Sequence, residues 1–124
     1  MKIKDSAENY LEAILMIKKE KGNVRSIDVA NELGFSKPSV SVAMKNFRED
    51  GYISIDGDGS ISLTKKGLEI AERIYERHNV IAKALIALGV DEQTAFEDSC
   101  KIEHDISQQT FEKLKEFLTN HSDL

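Results

Sequence analysis

The segment 26–63 constrains the fold most, because a short turn, an amphipathic helix and a hairpin signal follow one another there. A turn at 34–36 separates two stretches whose apolar residues recur at helical spacing. Ser36 can cap the helix that follows this turn, and Pro38 lies in the first turn of that helix, where the missing N–H costs little. Residues 52–63 alternate apolar and polar side chains around an Asp-Gly-Asp-Gly run, which predicts a β-hairpin.

Apolar residues at helical spacing predict further helices on both sides of this segment. Residues 6–20 give one such helix, residues 65–88 give a long one, and two shorter ones follow Gly89. The order of three helices, a hairpin and a long helix is typical of a winged helix-turn-helix. We therefore predict a mainly α protein, with an N-terminal winged helix-turn-helix and small β-hairpin wing in residues 1–72 and an all-helical domain in residues 73–124.

Charge and composition narrow the classes of partner. The net charge of −5 argues against general coating of nucleic acid. However, residues 1–72 hold 11 Lys and Arg against 12 Asp and Glu, whereas residues 73–124 hold 6 against 10, so the first part is the better candidate for phosphate contact. No apolar run approaches the roughly 20 residues that span a bilayer. The N-terminal residues lack the apolar stretch of a signal peptide, so we expect a cytoplasmic protein without membrane contact.

The third predicted helix has an apolar face and a polar face. Val40, Met44 and Phe47 repeat at the spacing of an inward face. In a helix-turn-helix this helix enters the major groove, where hydroxyls and cations bind phosphates or base edges and an apolar ring meets thymine methyls. We expect DNA contacts from the outward residues and one flanking cation: Arg25, Ser36, Lys37, Pro38, Ser39, Ser41, Lys45 and Arg48.

Two other observations qualify this interpretation. Polar outward faces are common on helices, so the surface alone is equally compatible with a solvated helix. The tip of the hairpin carries Asp56 and Asp58 and no Lys or Arg, so it should repel phosphates. We therefore assign the hairpin a structural role, and the order of elements favours DNA binding.

Cys100, Glu103 and His104 form the compact set of metal-ligand side chains near the end of the chain. Their i, i+3, i+4 spacing places them on one helix face, where a thiolate, a carboxylate and an imidazole suit a divalent transition metal. Taken alone, a single cysteine is more often a small buried hydrophobe. A redox sensor is a minor alternative, because the chain has one cysteine and so no resolving partner.

Five segments of the chain are similar to the iron- and manganese-dependent repressors of the diphtheria-toxin-repressor and manganese-transport-regulator family. The resemblance covers nearly the whole chain, and the last two segments are specific as a pair. The segments are ENYLEAI at 8–14, SKPSVSVAMKNFREDGYI at 36–53, LTKKG at 63–67, ERH at 76–78 and SCKIEHDIS at 99–107.

The resemblance implies roles for residues at matching positions. His78, Glu103 and His104 match metal ligands of the family, and Glu12 matches a ligand of its manganese-type members. Cys100 stands where iron-type members have cysteine and manganese-type members have glutamate. Asn9 replaces an aspartate or methionine, although its amide could still donate an oxygen.

The resemblance also bears on a second metal. Iron-type members place a Glu and a His where this chain has Ala82 and Phe96, which argues against their ancillary site. A manganese-type pair of neighbouring ions remains an alternative. Because the sequence ends at residue 124, we expect the short two-domain type without the SH3-like domain.

The function that the resemblance implies is metal-dependent transcriptional regulation. We expect a homodimer that binds a pseudo-palindromic DNA operator, represses metal-uptake genes and requires Fe(II) or Mn(II) as co-repressor, with Co, Ni or Zn as substitutes. The alternative is a metal-independent winged-helix regulator or protein-interaction module. A metalloenzyme is disfavoured, because the ligand set leaves no obvious general base.

Overall fold

The computed structural model describes residues 5–120, without the side chain of Asp5. The chain divides into two compact units, Met1–Glu72 and Arg73–Leu124. The mainly α fold with a small hairpin that the sequence predicted is confirmed. The described residues form α1 (Asp5–Lys21), α2 (Ser26–Leu33), α3 (Lys37–Glu49), β1 (Ile53–Ile55), β2 (Ile61–Leu63), α4 (Lys65–Ala87), α5 (Glu92–Ile102) and α6 (Gln108–Asn120).

The core of the first unit is built from the apolar faces of its helices. Helix α1 packs against α2 and β2, and α3 packs against α2 and β1. Because apolar residues at i, i+3 and i+4 share one face of a helix, α1 buries a continuous stripe. The side chains at the centre of this core, which come from α1, α2, α3 and β2, have almost no exposure to solvent: Leu11, Ile14, Val29, Val40, Met44 and Ile61.

The turn between α2 and α3 is fixed by a cap on each side. Gly34 ends α2 with a left-handed backbone (φ 71°), and its N–H donates to the carbonyl of Ala30 at 2.9 Å. Glycine suits this conformation because it has no Cβ to clash. Ser36 then begins α3, since its hydroxyl accepts a hydrogen bond from the N–H of Ser39 at 3.3 Å. These caps fix where α3, the predicted recognition helix, begins.

The hairpin pairs β1 with β2 in antiparallel register, with Ile53 opposite Leu63. Its turn is held by Asp56, whose Oδ1 accepts from the N–H of Ser60 at 2.9 Å. A carboxylate that accepts from nearby N–H groups is typical of such turns. Beside the strands, the N–H of Ile61 donates to the carbonyl of Val24 at 2.8 Å, which joins the hairpin to the α1–α2 connection.

The second unit contains α5, α6 and most of α4. Ile74 and Ile81 from α4, Ala95 from α5 and Phe111 from α6 are buried. Asp91 begins α5, because its carboxylate accepts hydrogen bonds from the hydroxyl and the N–H of Thr94 at 2.8 and 3.1 Å. These hydrogen bonds lower the pKa of the Asp91 carboxyl.

None of the helices in the described part of the chain is both long enough and apolar enough to cross a membrane.

Gly67, in the first turn of α4, lies directly against the backbone of Tyr52. Thr64 holds this turn, because its hydroxyl donates to the carbonyl of Gly51 at 2.6 Å and accepts from the N–H of Gly67 at 3.2 Å. A Cβ on residue 67 would overlap the carbonyl oxygen of Tyr52, and a backbone atom cannot rotate away as a side chain can.

We predict that Gly67→Ala lowers the free energy of unfolding by about 1–3 kcal/mol, the usual cost of overpacking. Urea denaturation followed by circular dichroism measures this loss. Gly57→Ala is the matched control, because a Cβ there meets no atom within 4 Å. Equal stability of the two variants would contradict the close approach of Gly67 and Tyr52.

Candidate metal centre and DNA-contacting surface

Four of the predicted ligands lie close together in the second unit. Helix α4 supplies His78 and α5 supplies Cys100, while Glu103 is the C-cap of α5 and His104 follows it. The helical turn continues through the cap, because the N–H of Glu103 donates to the carbonyl of Ser99 at 3.0 Å. The i, i+3, i+4 relation that the sequence predicted is therefore preserved beyond the last helical residue.

Pairwise contacts link the donor atoms of these four side chains in series. A hydrogen bond of 2.9 Å joins Nδ1 of His78 to Oε2 of Glu103. Sγ of Cys100 lies 3.7 Å from the same Nδ1. Nε2 of His104 lies 3.5 Å from Oε1 of Glu103. A carboxylate, a thiol and two imidazoles thus meet within one small region of the unit.

The burial of these groups differs in a way that matters for their chemistry. Glu103 is 0% exposed, and His78 and His104 are 8% and 7% exposed, whereas Cys100 is exposed. Oε1 of Glu103 is buried without a hydrogen-bond partner among the described residues. Because a buried carboxylate is costly unless its charge is compensated, this oxygen is suited to a cation.

The separations between donor atoms also fit a transition metal. Metal–nitrogen and metal–oxygen bonds of about 2.0–2.2 Å and metal–sulfur bonds of about 2.3 Å place the ligands of one ion roughly 3–3.7 Å apart. Taken in pairs, Nδ1 of His78 lies 2.9 Å from Oε2 of Glu103 and 3.7 Å from Sγ of Cys100, and Oε1 of Glu103 lies 3.5 Å from Nε2 of His104. An ion that binds both Nδ1 of His78 and Oε2 of Glu103 would replace the hydrogen bond between them, since metal ligands must be deprotonated.

Two residues that the sequence analysis did not identify support these ligands. Ser99 is fully buried, and its hydroxyl donates to the carbonyl of His78 at 2.5 Å. Arg77 is buried, and its Nη1 donates to the carbonyl of Glu103 at 3.2 Å. A signal for Arg77 was available, because it is a charged residue at an inward position between Ile74 and Ile81. Nothing in the spacing distinguishes Ser99.

The other two predicted ligands, Asn9 and Glu12, lie on α1 in the first unit. The side chain of Glu12 is buried and that of Asn9 is half-buried. Their place in the ligand set remains a prediction. At the positions of the iron-type ancillary site, Ala82 is buried and the ring of Phe96 lies 5.4 Å from the His78 ring, and neither side chain offers a donor atom.

The structure separates the two faces of α3 as the sequence predicted. Val40, Met44 and Phe47 are buried. Lys37 and Ser41 line a surface pocket of about 220 Å³ together with residues at the start of α2. All of the predicted DNA contacts are exposed to solvent: Arg25, Ser36, Lys37, Pro38, Ser39, Ser41, Lys45 and Arg48.

Three of these eight side chains also have partners within the first unit. Nη1 of Arg25 donates to the carbonyl of Asp58, and its Nη2 lies 3.7 Å from the Asp58 carboxylate. The guanidinium therefore helps to hold the tip of the hairpin. The hydroxyls of Ser36 and Ser39 are joined by a hydrogen bond of 2.8 Å. Lys37, Lys45 and Arg48 carry the positive charge of α3.

Comparison with known proteins places both parts of the chain in one family. Residues 2–61 match the N-terminal DNA binding domain of iron dependent repressors. Residues 64–123 match the metal binding and dimerisation domain of the same repressors.

Individual relatives agree with these matches. An uncharacterised HTH-type transcriptional regulator of Methanocaldococcus jannaschii is 36% identical over 120 residues, which cover 95% of this chain and 96% of the relative. The transcriptional regulator MntR of Bacillus subtilis is 32% identical over 109 residues, which cover 88% of this chain and 77% of MntR.

A solved structure, the metal-dependent transcriptional regulator MtsR, superposes with a TM-score of 0.82 at 27% identity, over 91% of this chain and 53% of MtsR. The families and relatives that match are transcriptional regulators rather than enzymes. The chain therefore belongs to the iron-dependent repressor family of metal-dependent transcriptional regulators.

Proposed function

We propose that this protein represses metal-uptake genes and that its binding to a pseudo-palindromic operator requires Fe(II) or Mn(II). The observation that carries the proposal is the fully buried Glu103 carboxylate, whose oxygens lie 2.9 Å from Nδ1 of His78 and 3.5 Å from Nε2 of His104. The exposed polar face of α3 supports the DNA-binding part. A homodimer and a cytoplasmic location belong to the same proposal.

The proposed ligand set extends beyond the second unit. His78, Cys100, Glu103 and His104 would hold the ion, and Glu12 would add a second carboxylate from α1. Asn9 lies one helical turn before Glu12 and would contribute its amide oxygen. Glu12 is buried, as the proposed ligands His78, Glu103 and His104 are.

Ligands from both units would link metal binding to DNA binding. The ion supplies positive charge among carboxylates that otherwise repel one another. An ion held by residues of both units would bind one arrangement of the two units more tightly than the others. Metal binding would therefore shift the population towards that arrangement. In a two-fold dimer, that arrangement sets the spacing of the two α3 helices, which must match half-sites about one helical turn apart.

We predict that Glu103→Gln weakens metal binding by more than about 100-fold, beyond the usual effect of removing a supporting residue. The amide retains the shape of the side chain but loses its negative charge. Calorimetric titration with Mn(II) and Co(II) measures the affinity, and circular dichroism verifies the fold. Glu97→Gln is the control, because Glu97 is an exposed carboxylate on the same helix.

Operator binding in the presence of a chelator distinguishes a metal-dependent regulator from a metal-independent one. A duplex selected from random sequence in the presence of Mn(II) should lose its affinity when the ion is removed. Equal affinity with the chelator would overturn metal control and would leave a metal-independent winged-helix regulator.

We predict that Cys100→Glu changes the metal preference in favour of Mn(II). A thiolate favours softer ions such as Fe(II), Co(II) and Zn(II), whereas carboxylates suit Mn(II). Competition between Mn(II) and Fe(II) under anaerobic, reducing conditions measures the ratio of the two affinities. An unchanged ratio would show that Cys100 does not bind the ion.

We predict that Lys45→Ala weakens DNA binding and reduces the slope of log affinity against log salt by about 0.9, the contribution of one phosphate contact. Lys45 is exposed on α3. Fluorescence anisotropy over a range of salt concentrations gives the slope. Lys83→Ala, an exposed lysine of α4, should leave affinity and slope unchanged, and equal effects of the two variants would argue against a specific role for Lys45.

A further inference from the structure

We propose that Arg77 is a positioning residue for the metal centre, which fixes the connection between α5 and α6 against α4. This inference rests on the proposed metal-dependent function. Its basis is that one buried guanidinium, next to His78 in the sequence, binds the backbone of Glu103. Arg77 would thereby set the distance between ligands that come from different helices.

Among the described residues, the two Nη atoms of Arg77 donate to three acceptors, all from the end of α5 onward, whereas its Nε is buried without a hydrogen-bond partner. Nη1 donates to the carbonyl of Glu103 at 3.2 Å and to the carbonyl of Ile106 at 3.0 Å. Nη2 donates to the side-chain oxygen of Gln108 at 2.9 Å, in the first turn of α6. The guanidinium also lies 5.3 Å from the centre of the Phe111 ring. Arg77 therefore contacts the cap of α5, the connection and α6 at once.

A charged residue at this inward position of α4 needs an explanation. Burying a guanidinium is unfavourable unless its N–H groups are hydrogen-bonded, and an apolar side chain would fill a core position without that requirement. The last carbonyls of a helix lack partners within the helix and carry partial negative charge. The carbonyl of Glu103, the C-cap of α5, is such a group, so Arg77 satisfies this end of α5.

The choice of acceptor matters for metal binding. Arg77 binds the backbone oxygen of Glu103 and not its carboxylate, so the carboxylate remains directed at the two histidines. The hydrogen bond from Arg77 holds the backbone of Glu103, and His78 is the next residue after Arg77 in the sequence. Arg77 therefore links the two proposed ligands, Glu103 and His78. Supporting groups of this kind set ligand geometry, and their loss typically lowers metal affinity by about 10–100-fold.

The test compares Arg77→Met with the wild-type chain, using Co(II) as the probe under reducing conditions. Methionine fills the space of the aliphatic part of arginine but donates no hydrogen bond. We expect Co(II) affinity to fall by about 10–100-fold. The visible absorption of bound Co(II) should also change, because its bands depend on the number and arrangement of ligands. Arg77→Lys keeps one donor group and should recover part of the affinity.

A control separates positioning from a general loss of stability. Ile74→Ala creates a cavity one turn earlier on the same buried face of α4 and removes no hydrogen bond to Glu103. Thermal denaturation of the metal-free proteins ranks the variants by stability. If Arg77 positions the ligands, Arg77→Met weakens Co(II) binding more than Ile74→Ala does for the same fall in Tm, and only Arg77→Met alters the spectrum.

The outcomes distinguish failure of this inference from failure of the proposed function. Wild-type protein that binds no Co(II), Mn(II) or Fe(II) would overturn the proposed function together with the role of Arg77. Wild-type protein that binds Co(II), with Arg77→Met and Arg77→Lys matching its affinity and spectrum, would overturn the role of Arg77 alone. The role of Arg77 would also be overturned if Arg77→Met lost no more Co(II) affinity than Ile74→Ala for the same fall in Tm.

Discussion

The carboxylate of Glu103 is 0% exposed, and its charge must be balanced inside the second unit. One of its oxygens is hydrogen-bonded to Nδ1 of His78, and the other faces Nε2 of His104 without a hydrogen-bond partner in the described chain. Ser99 and Arg77 are also buried here, and both donate to backbone carbonyls of ligand residues. The polar groups of this region are thus arranged around the buried Glu103 carboxylate, and their arrangement suits a cation.

The proposed functional groups of the two units differ in their exposure to solvent. In the first unit, Val40, Met44 and Phe47 bury one face of α3, while the proposed DNA contacts project into solvent, where polar groups remain hydrated. In the second unit, Glu103 and His104 are buried, and their desolvation costs stability unless a partner compensates. A cation bound at the proposed site would relieve a desolvation cost that is already present in the core of this unit.

Local signals predicted most of the fold, because helix periodicity, caps and hairpin turns depend on neighbouring residues. The predicted long helix at 65–88 corresponds to Lys65–Ala87, and Asp91 caps α5 as the sequence indicated. Spacing along one helix also predicted that Cys100, Glu103 and His104 share one face. In contrast, the approach of Gly67 to Tyr52 and the acceptors of Arg77 depend on packing between elements, which no local pattern encodes. Resemblance to known repressors, not spacing, connected His78 to Glu103.

In the proposed site, metal preference would depend on the most exposed of the candidate ligands, Cys100. The buried part, His78, Glu103 and His104, combines imidazole and carboxylate donors, which suit Mn(II) and Fe(II) alike. Cys100 adds the soft donor, and it is exposed although Nδ1 of His78 lies only 3.7 Å away. An exposed side chain contributes little to core packing, so a change at this position alters donor softness with little loss of stability. In the proposed site, the buried residues would therefore decide whether a metal binds, and the exposed cysteine would decide which metal is favoured.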